Sequence, residues 1–318
     1  MLNKIQLMEH SVEQYMYIGM FDSNYSEEKQ YLNLLKKILE QGTWEQTRNG
    51  KTKSVFGEMM RFSLKDGKIP ILTTKKTAWK TCLKELLWFI RGETDNKILQ
   101  AQNVHIWDGN ASKDFIESRG LGHYPDGLLG PIYGYQWRHY NAPYDYTTGN
   151  VKADSPTNGV DQLQEIIDAL KNPETRTSRR LIMTAWNPSQ VNEMALPPCH
   201  ILCQFNVHDG NKLSCSLYQR SNDELLGAPF NIASYSFLTH LLAKHCGLEA
   251  HEFVYFKGNC HIYEEHIEGA RVQISRKPYP FPRVTIKQVR DNINDYQVDD
   301  FEIHNYVHHE PIKFEMIT

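Results

Sequence analysis

Between Cys199 and Ser221 the chain can fold in few ways. Ile201, Cys203, Phe205 and Val207 alternate with Leu202, Gln204, Asn206 and His208, and a period of two is that of a strand with one buried face. Asp209-Gly210-Asn211 is a turn signal, and Leu213 to Arg220 returns as a second strand. An antiparallel hairpin is therefore expected over 199–221. It sits in a chain whose other strong periodicities are helical.

Tyr31, Leu32, Leu35, Ile38 and Leu39 recur at helix spacing, with Ser26 as the expected N-cap and Gly42 as the stop. Thr77 to Gly92 carries Ala78, Cys82, Leu86 and Phe89 on one stripe. Val160 to Leu170 is helical and ends at Asn172-Pro173, and Ile232 to Cys246 is a long apolar helix stopped by Gly247. His261 to Ser275 is expected to be helical up to the prolines at 278, 280 and 282. Ser54 to Leu64 is expected to be a strand with Val55, Met59 and Phe62 inward, and strand-like residues recur near Val284–Ile286. The polar, basic run Thr47 to Lys53 is expected to be an exposed loop. Gly130 to Arg138, with aromatics between glycines, is expected to be a tight loop on a pocket wall. Residues 1–26 have no period and are expected to be an N-terminal extension. Insertions are expected near 111–129 and 141–159.

With 318 residues, 40% of them hydrophobic, the chain can bury a full core. Its net charge of −3 lacks the basic excess of most nucleic-acid binders, so an anion site must be local. The six cysteines are too few and scattered for a disulfide framework, which favours a reducing compartment. The first 24 residues contain no apolar run able to act as a signal or membrane span. The expectation is a cytoplasmic protein, with the nucleus also compatible.

Several residues invite chemistry. Cys199-His200 with Cys203, and Cys260-His261, suggest zinc. Two thiols four residues apart on a strand stand roughly 13 Å apart at about 3.3 Å per residue, too far for one tetrahedral ion, so no metal is expected. Pro197-Pro198 stiffens the approach to Cys199, and Arg220 on the returning strand can reach the thiol. A guanidinium there is expected to lower the thiol pKa and could hold a phosphate. Arg48, the Arg179-Arg180 pair and Arg220-Ser221 supply forked donors that suit a phosphate. Glu85 lies at the edge of the apolar stripe of its helix. Position alone leaves it either a boundary carboxylate or an active-site acid with a raised pKa.

These residues also form a longer pattern. Leu196-Pro-Pro-Cys199-His200 and Tyr218-Gln-Arg220-Ser221-Asn-Asp223-Glu-Leu225-Leu-Gly227-Ala-Pro-Phe-Asn231 occur in order with Arg48, Glu85-Leu-Leu-Trp-Phe, Ile-Trp107-Asp108, Gly-Pro-Ile-Tyr133-Gly and His261-Ile-Tyr263. From about residue 30 to its end the chain resembles the thymidylate synthase family. The resemblance implies a mixed α/β (α+β) fold, one catalytic domain over 27–318, and a large mixed sheet that is flanked by helices and packs on the same sheet of a second subunit. It implies reductive methylation of dUMP to dTMP, with 5,10-methylenetetrahydrofolate donating both carbon and hydride, and no need for nucleic acid or membrane.

The same resemblance implies roles. Cys199 attacks C6 of the uracil; Arg220 binds phosphate and helps keep the thiol ionised. Arg48 and Ser221 also hold phosphate, with Arg179 and Arg180 arriving from the partner of a homodimer. Asn231 reads the uracil edge, and His261 and Tyr263 bind the ribose. Asp223 orients the pterin, while Glu85, with Tyr133 and His200 in support, organises proton transfers. Lys75 meets the glutamate tail of the folate, and Trp107, Leu225, Gly227 and C-terminal residues including Ile317 line its pocket. Against the family pattern, Asn259 stands where Asp is usual, and the chain ends Ile317-Thr318 instead of in a small residue followed by Val or Ile. Asn110 stands where some relatives carry a second folate-stacking Trp. A deoxypyrimidine monophosphate hydroxymethylase and a non-catalytic RNA-binding or scaffold protein remain the alternatives on this fold.

Overall fold

The computed structural model describes residues 26–317. The extension expected over 1–26 lies, Ser26 apart, outside them, as does Thr318. In chain order the elements are α1 (Lys29–Gln41), β1 (Thr43–Thr47), β2 (Gly50–Ser63), α2 (Trp79–Ile90), α3 (Asn96–Gln100), α4 (Asp108–Ala111), α5 (Lys113–Ser118), α6 (Gly134–His139), β3 (Tyr144–Asp145), β4 (Asn150–Val151), α7 (Gln162–Lys171), β5 (Ile182–Thr184), β6 (His200–His208), β7 (Lys212–Asp223), α8 (Gly227–His245), β8 (Glu249–Tyr263), α9 (Ile267–Ser275), β9 (Arg283–Ile286) and β10 (Phe301–His304). A six-stranded sheet, ordered β1-β2-β8-β7-β6-β5, carries the molecule. It is mixed as expected: β7 and β8 run parallel, and every other neighbouring pair is antiparallel.

The β6–β7 hairpin forms where the alternation put it. Asp209 and Gly210 both take positive φ, 48° and 82°, the geometry that Asp-Gly favours between two twisted strands. Helix α8 lies against β7 and β8 and is buried along most of its length, so its apolar run has no polar face.

Several expectations need correction. Ser26 does not cap α1. Glu28 occupies that position, and its fully buried carboxylate accepts hydrogen bonds from the backbone and hydroxyls of Thr73 and Thr74 at 2.6–2.9 Å. Thr47 to Lys53 is not a loop. Residues 43–47 and 50–63 are paired strands, with only Arg48-Asn49 between them, because a polar edge strand needs no apolar face. In β2, Met60 and Phe62 point inward and Met59 is 50% exposed. Period two cannot place Met59 and Phe62 on one face. Gly130–Arg138 is not a loop throughout: Gly134–His139 is the helix α6. The expected helix from His261 begins only at Ile267, and His261 lies on the fifteen-residue strand β8. The region near 111–129 contains α5, and that near 141–159 contains the β3–β4 pair.

Among the described residues, nothing covers the apolar side chains on one face of the sheet. Met59, Ile182, Tyr218 and Phe256 lie on it, 38–50% exposed, and Phe56 is 79% exposed beside the positive-φ Gly57. In the interior, Lys257 Nζ meets Glu224 Oε2 at 2.6 Å, with both side chains fully buried. Removing one partner of such a pair costs about 3–5 kcal/mol, whereas an exposed pair such as Lys36–Glu40 contributes about 0–1.

Candidate active site

The site is built where β6 begins and β7 ends. Cys199 stands one residue before β6, its carbonyl accepting the Arg220 N–H of β7 at 2.9 Å. Arg220 folds its guanidinium back over this turn. Nε donates to Pro198 O at 2.9 Å, and Nη2 donates to Pro197 O at 3.0 Å and reaches Cys199 Sγ at 3.9 Å. The guanidinium also lies 5.7 Å from the Trp186 ring. Burial outweighs Arg220, which lowers the Cys199 thiol pKa as expected. Burial pushes its pKa above the usual value, and Arg220 and the Tyr133 hydroxyl offset only part of that rise.

Tyr133 enters from the turn before α6. Its hydroxyl accepts the Cys199 backbone N–H at 2.8 Å, and burial holds the phenol protonated. Its φ of 25° is a strained conformation for a side chain this large. The next residue approaches α2 closely: a Cβ on Gly134 would sit 2.4 Å from Phe89 O. The Tyr133 ring stacks on His200 at 4.1 Å and meets Phe89 at 4.9 Å and Trp107 at 6.0 Å. His200 Nδ1 bonds the Tyr235 hydroxyl at 2.8 Å, and burial lowers its pKa to about 3, so the ring is neutral. Tyr235 gave no signal in the sequence beyond the apolar run around it.

Glu85 is held one helical turn before Phe89. Trp107 Nε1 donates to its Oε1 at 2.8 Å, and burial raises its pKa to about 7. The raised pKa and the Trp107 bond do not fit a boundary carboxylate whose head reaches water. Glu85, Trp107, Tyr133 and Cys199 thus form a continuous series of contacts.

A second group gathers at the end of β8 and the β1–β2 turn. Arg48, Ser221, Asn259, His261 and Tyr263 line a cleft of about 290 Å³. His261 Nδ1 lies 2.9 Å from Asn259 Oδ1, so the amide at the position where Asp is usual still makes the bond. Tyr263 meets His261 edge-on at 5.4 Å.

A third group lies where β7 passes into α8. Asp223 Oδ1 accepts the Leu225 and Leu226 N–H groups at 2.9 and 3.2 Å. A Cβ added to Gly227 would meet only Asn231 Oδ1 and Asp223 Cβ, at 3.8 and 3.9 Å, so this turn leaves room beside Asn231. Lys75 is buried here. Its ammonium donates to Leu225 O and lies 4.7 Å from the Phe314 ring, and burial lowers its pKa to about 8. The C-terminal segment folds back on the domain. His266 Nε2 bonds Glu315 O at 2.9 Å, and Ile317 lies beside Gly50 near Tyr263.

Arg179 and Arg180 do not join these groups. Both are exposed at the start of the edge strand β5, and Arg179 O accepts from Gln204 Nε2 at 3.1 Å. Gln204 is five residues along β6 from Cys199, roughly 16 Å at about 3.3 Å per residue.

Residues 29–318 match a family model described as thymidylate synthase. Over 291 residues the chain is 49% identical to the thymidylate synthase of Equine herpesvirus 2 (strain 86/87), covering 91% of this chain and 98% of that protein. Bifunctional dihydrofolate reductase-thymidylate synthases are also similar: that of Leishmania amazonensis at 47% and that of Plasmodium chabaudi at 48%, each over 91% of this chain. The chain spans about half the length of these two, 55% and 48% respectively.

Proposed function

The chain belongs to the thymidylate synthase family, and on that footing we propose that Cys199 is the nucleophile and residues 27–318 a single catalytic domain. The family reaction is the reductive methylation of dUMP to dTMP, with 5,10-methylenetetrahydrofolate as cosubstrate and dihydrofolate as coproduct. The observation that carries the assignment is the approach of Arg220 Nη2 to Cys199 Sγ.

Sγ adds to C6 of the uracil as the C5–C6 π electrons move toward C5 and O4, making C5 the nucleophile for the folate's one-carbon unit. Arg220, Arg48 and Ser221 hold the phosphate, and His261 and Tyr263 hold the ribose. Asn231 donates to O4 and accepts from N3–H. Glu85, poised near neutrality, exchanges protons with the base through water, with Tyr133 and His200 fixing the wall around the thiol. Asp223 orients the pterin, Trp107, Leu225, Gly227 and Ile317 line the folate pocket, and Lys75 faces the glutamate end.

We propose further that the enzyme is a homodimer with Arg179 and Arg180 donated across the interface. The bare apolar sheet face and the distance of this pair from Cys199 support that reading. Six unpaired thiols support a reducing compartment, the cytoplasm.

The test is the product mixture from protein, dUMP and methylenetetrahydrofolate. Dihydrofolate with dTMP is expected, while tetrahydrofolate with a 5-hydroxymethyl product would make the enzyme a hydroxymethylase. A 5-fluoro-dUMP–folate adduct mapping to any residue but Cys199 would overturn the nucleophile.

A further inference from the structure

The Glu224–Lys257 pair has no part in the chemistry above, yet it adjoins it. Glu224 is the residue after Asp223, at the point where β7 leaves the sheet for α8. It is fixed three times. Its N–H donates to His261 O at 3.0 Å, its carbonyl accepts the Tyr31 hydroxyl at 2.6 Å, and its carboxylate takes the Lys257 ammonium at 2.6 Å. Lys257 lies two residues before Asn259 on β8, with its ammonium 4.5 Å from the Tyr255 ring. The Tyr255 hydroxyl in turn lies 2.6 and 2.7 Å from Gln219 Oε1 and Asn222 Oδ1 of β7, its one proton serving either oxygen.

As a stabilising element the pair is poorly made. Among the described residues Glu224 Oε1 is buried with no N–H or O–H donor, only the weak Cys260 thiol beside it, and an apolar pair of similar volume often does as well or better in such a place. The first two contacts already hold the backbone of Glu224. What the ion pair adds is a fixed position of the end of β7 along β8, where Asp223 stands opposite His261. The next residues depend on that position: Leu225 and Leu226 bond to Asp223, Lys75 bonds to Leu225, and Gly227 and Asn231 follow.

We propose that the Glu224–Lys257 pair is a positioning device that sets the Asp223–Leu226 turn and, through it, the folate side of the site. This rests on the assignment of Asp223, Leu225 and Gly227 to folate. Neither Glu224 nor Lys257 touches a reacting atom; both act through Asp223.

The experiment compares the parent, the double variant Glu224→Met/Lys257→Met and the conservative Lys257→Arg. Thermal unfolding, dUMP binding and folate binding to the dUMP complex are measured for each by direct titration. The double variant is expected to unfold at or above the parent's midpoint and to bind dUMP unchanged. It should bind folate roughly tenfold more weakly, as expected for a misplaced contact surface. Lys257→Arg, which keeps the charge pair, should recover most of that loss. Parent-like folate affinity in the double variant would overturn the proposal, as would equal weakening of both ligands with a lowered midpoint. Absence of dihydrofolate from the parent with dUMP and methylenetetrahydrofolate would instead defeat the functional reading; the titrations need no turnover and judge the pair separately.

Discussion

Arg220 Nη2 lies 3.9 Å from Cys199 Sγ while the same guanidinium bonds the carbonyls of Pro198 and Pro197. The arginine therefore fixes the path of the chain into the cysteine as well as its charge. Its remaining donors are free for an anion, which suits a fork with five N–H groups. With burial outweighing the guanidinium, the thiol of the free protein stays protonated at neutral pH. Alkylation of Cys199 followed against pH should show a midpoint above that of an ordinary thiol, about 8.5. Arg220→Gln should move it further up and lower kcat/KM by about a hundredfold or more, since both the charge and the loop are lost. A midpoint below 8 in the parent would contradict this balance.

Glu85 gives a signature in stability as well as in rate. In the fold it keeps its proton up to about pH 7, whereas its unperturbed value is 4.5. Its contribution is therefore full below the lower value and is lost as pH rises through the higher one. Glu85→Gln should abolish that loss and be more stable than the parent at pH 8, by an amount of order 3 kcal/mol, with no gain at pH 4. Denaturant unfolding at the two pH values measures it. The same variant should lose about 10²–10⁴ in kcat.

Tyr133→Phe removes the acceptor of the Cys199 N–H and leaves a half-buried donor unpaired. A cost of about 1–3 kcal/mol in unfolding free energy is expected, together with a fall in kcat as the thiol loses its fixed position. Unchanged kcat in the folded variant would show that the bond is dispensable.

Arg180→Ala and Cys199→Ser subunits should each be inactive alone and recover activity when unfolded and refolded together, because a mixed dimer has one site with neither defect. Met59→Glu, on the bare sheet face, should give a monomer by sedimentation and lose activity. No recovery on mixing would place Arg180 with the thiol of its own chain.

How much of this could be read beforehand depended on whether the cause was local. The β6–β7 hairpin was legible because alternation and the Asp209-Gly210 turn lie within one stretch. So was the core of α8, whose apolar residues from Ile232 to Leu242 are interrupted only by Ser234, Ser236, Thr239 and His240. Strand β8 was not legible. It is central, but Lys257, Asn259 and His261 interrupt any apolar pattern, and their polar partners Glu224 and Ser221 are more than thirty residues away. Arg48 was found, but its setting was read as a loop because the edge hairpin around it is polar. The motifs named Cys199, Arg220 and Glu85; they could not give the sign of the thiol's shift, which depends on burial that only the fold creates.

Lys75 gives the C-terminal segment a chemical reporter. Its amine is about half unprotonated near pH 8, where a solvated lysine is almost wholly ammonium, so it is intrinsically a strong nucleophile toward acylating reagents. The same burial that makes it so puts it under Phe314. Its rate of labelling should therefore measure how often the end of the chain lifts from the domain, and a ligand that seals the segment should silence this amine while surface lysines continue to react.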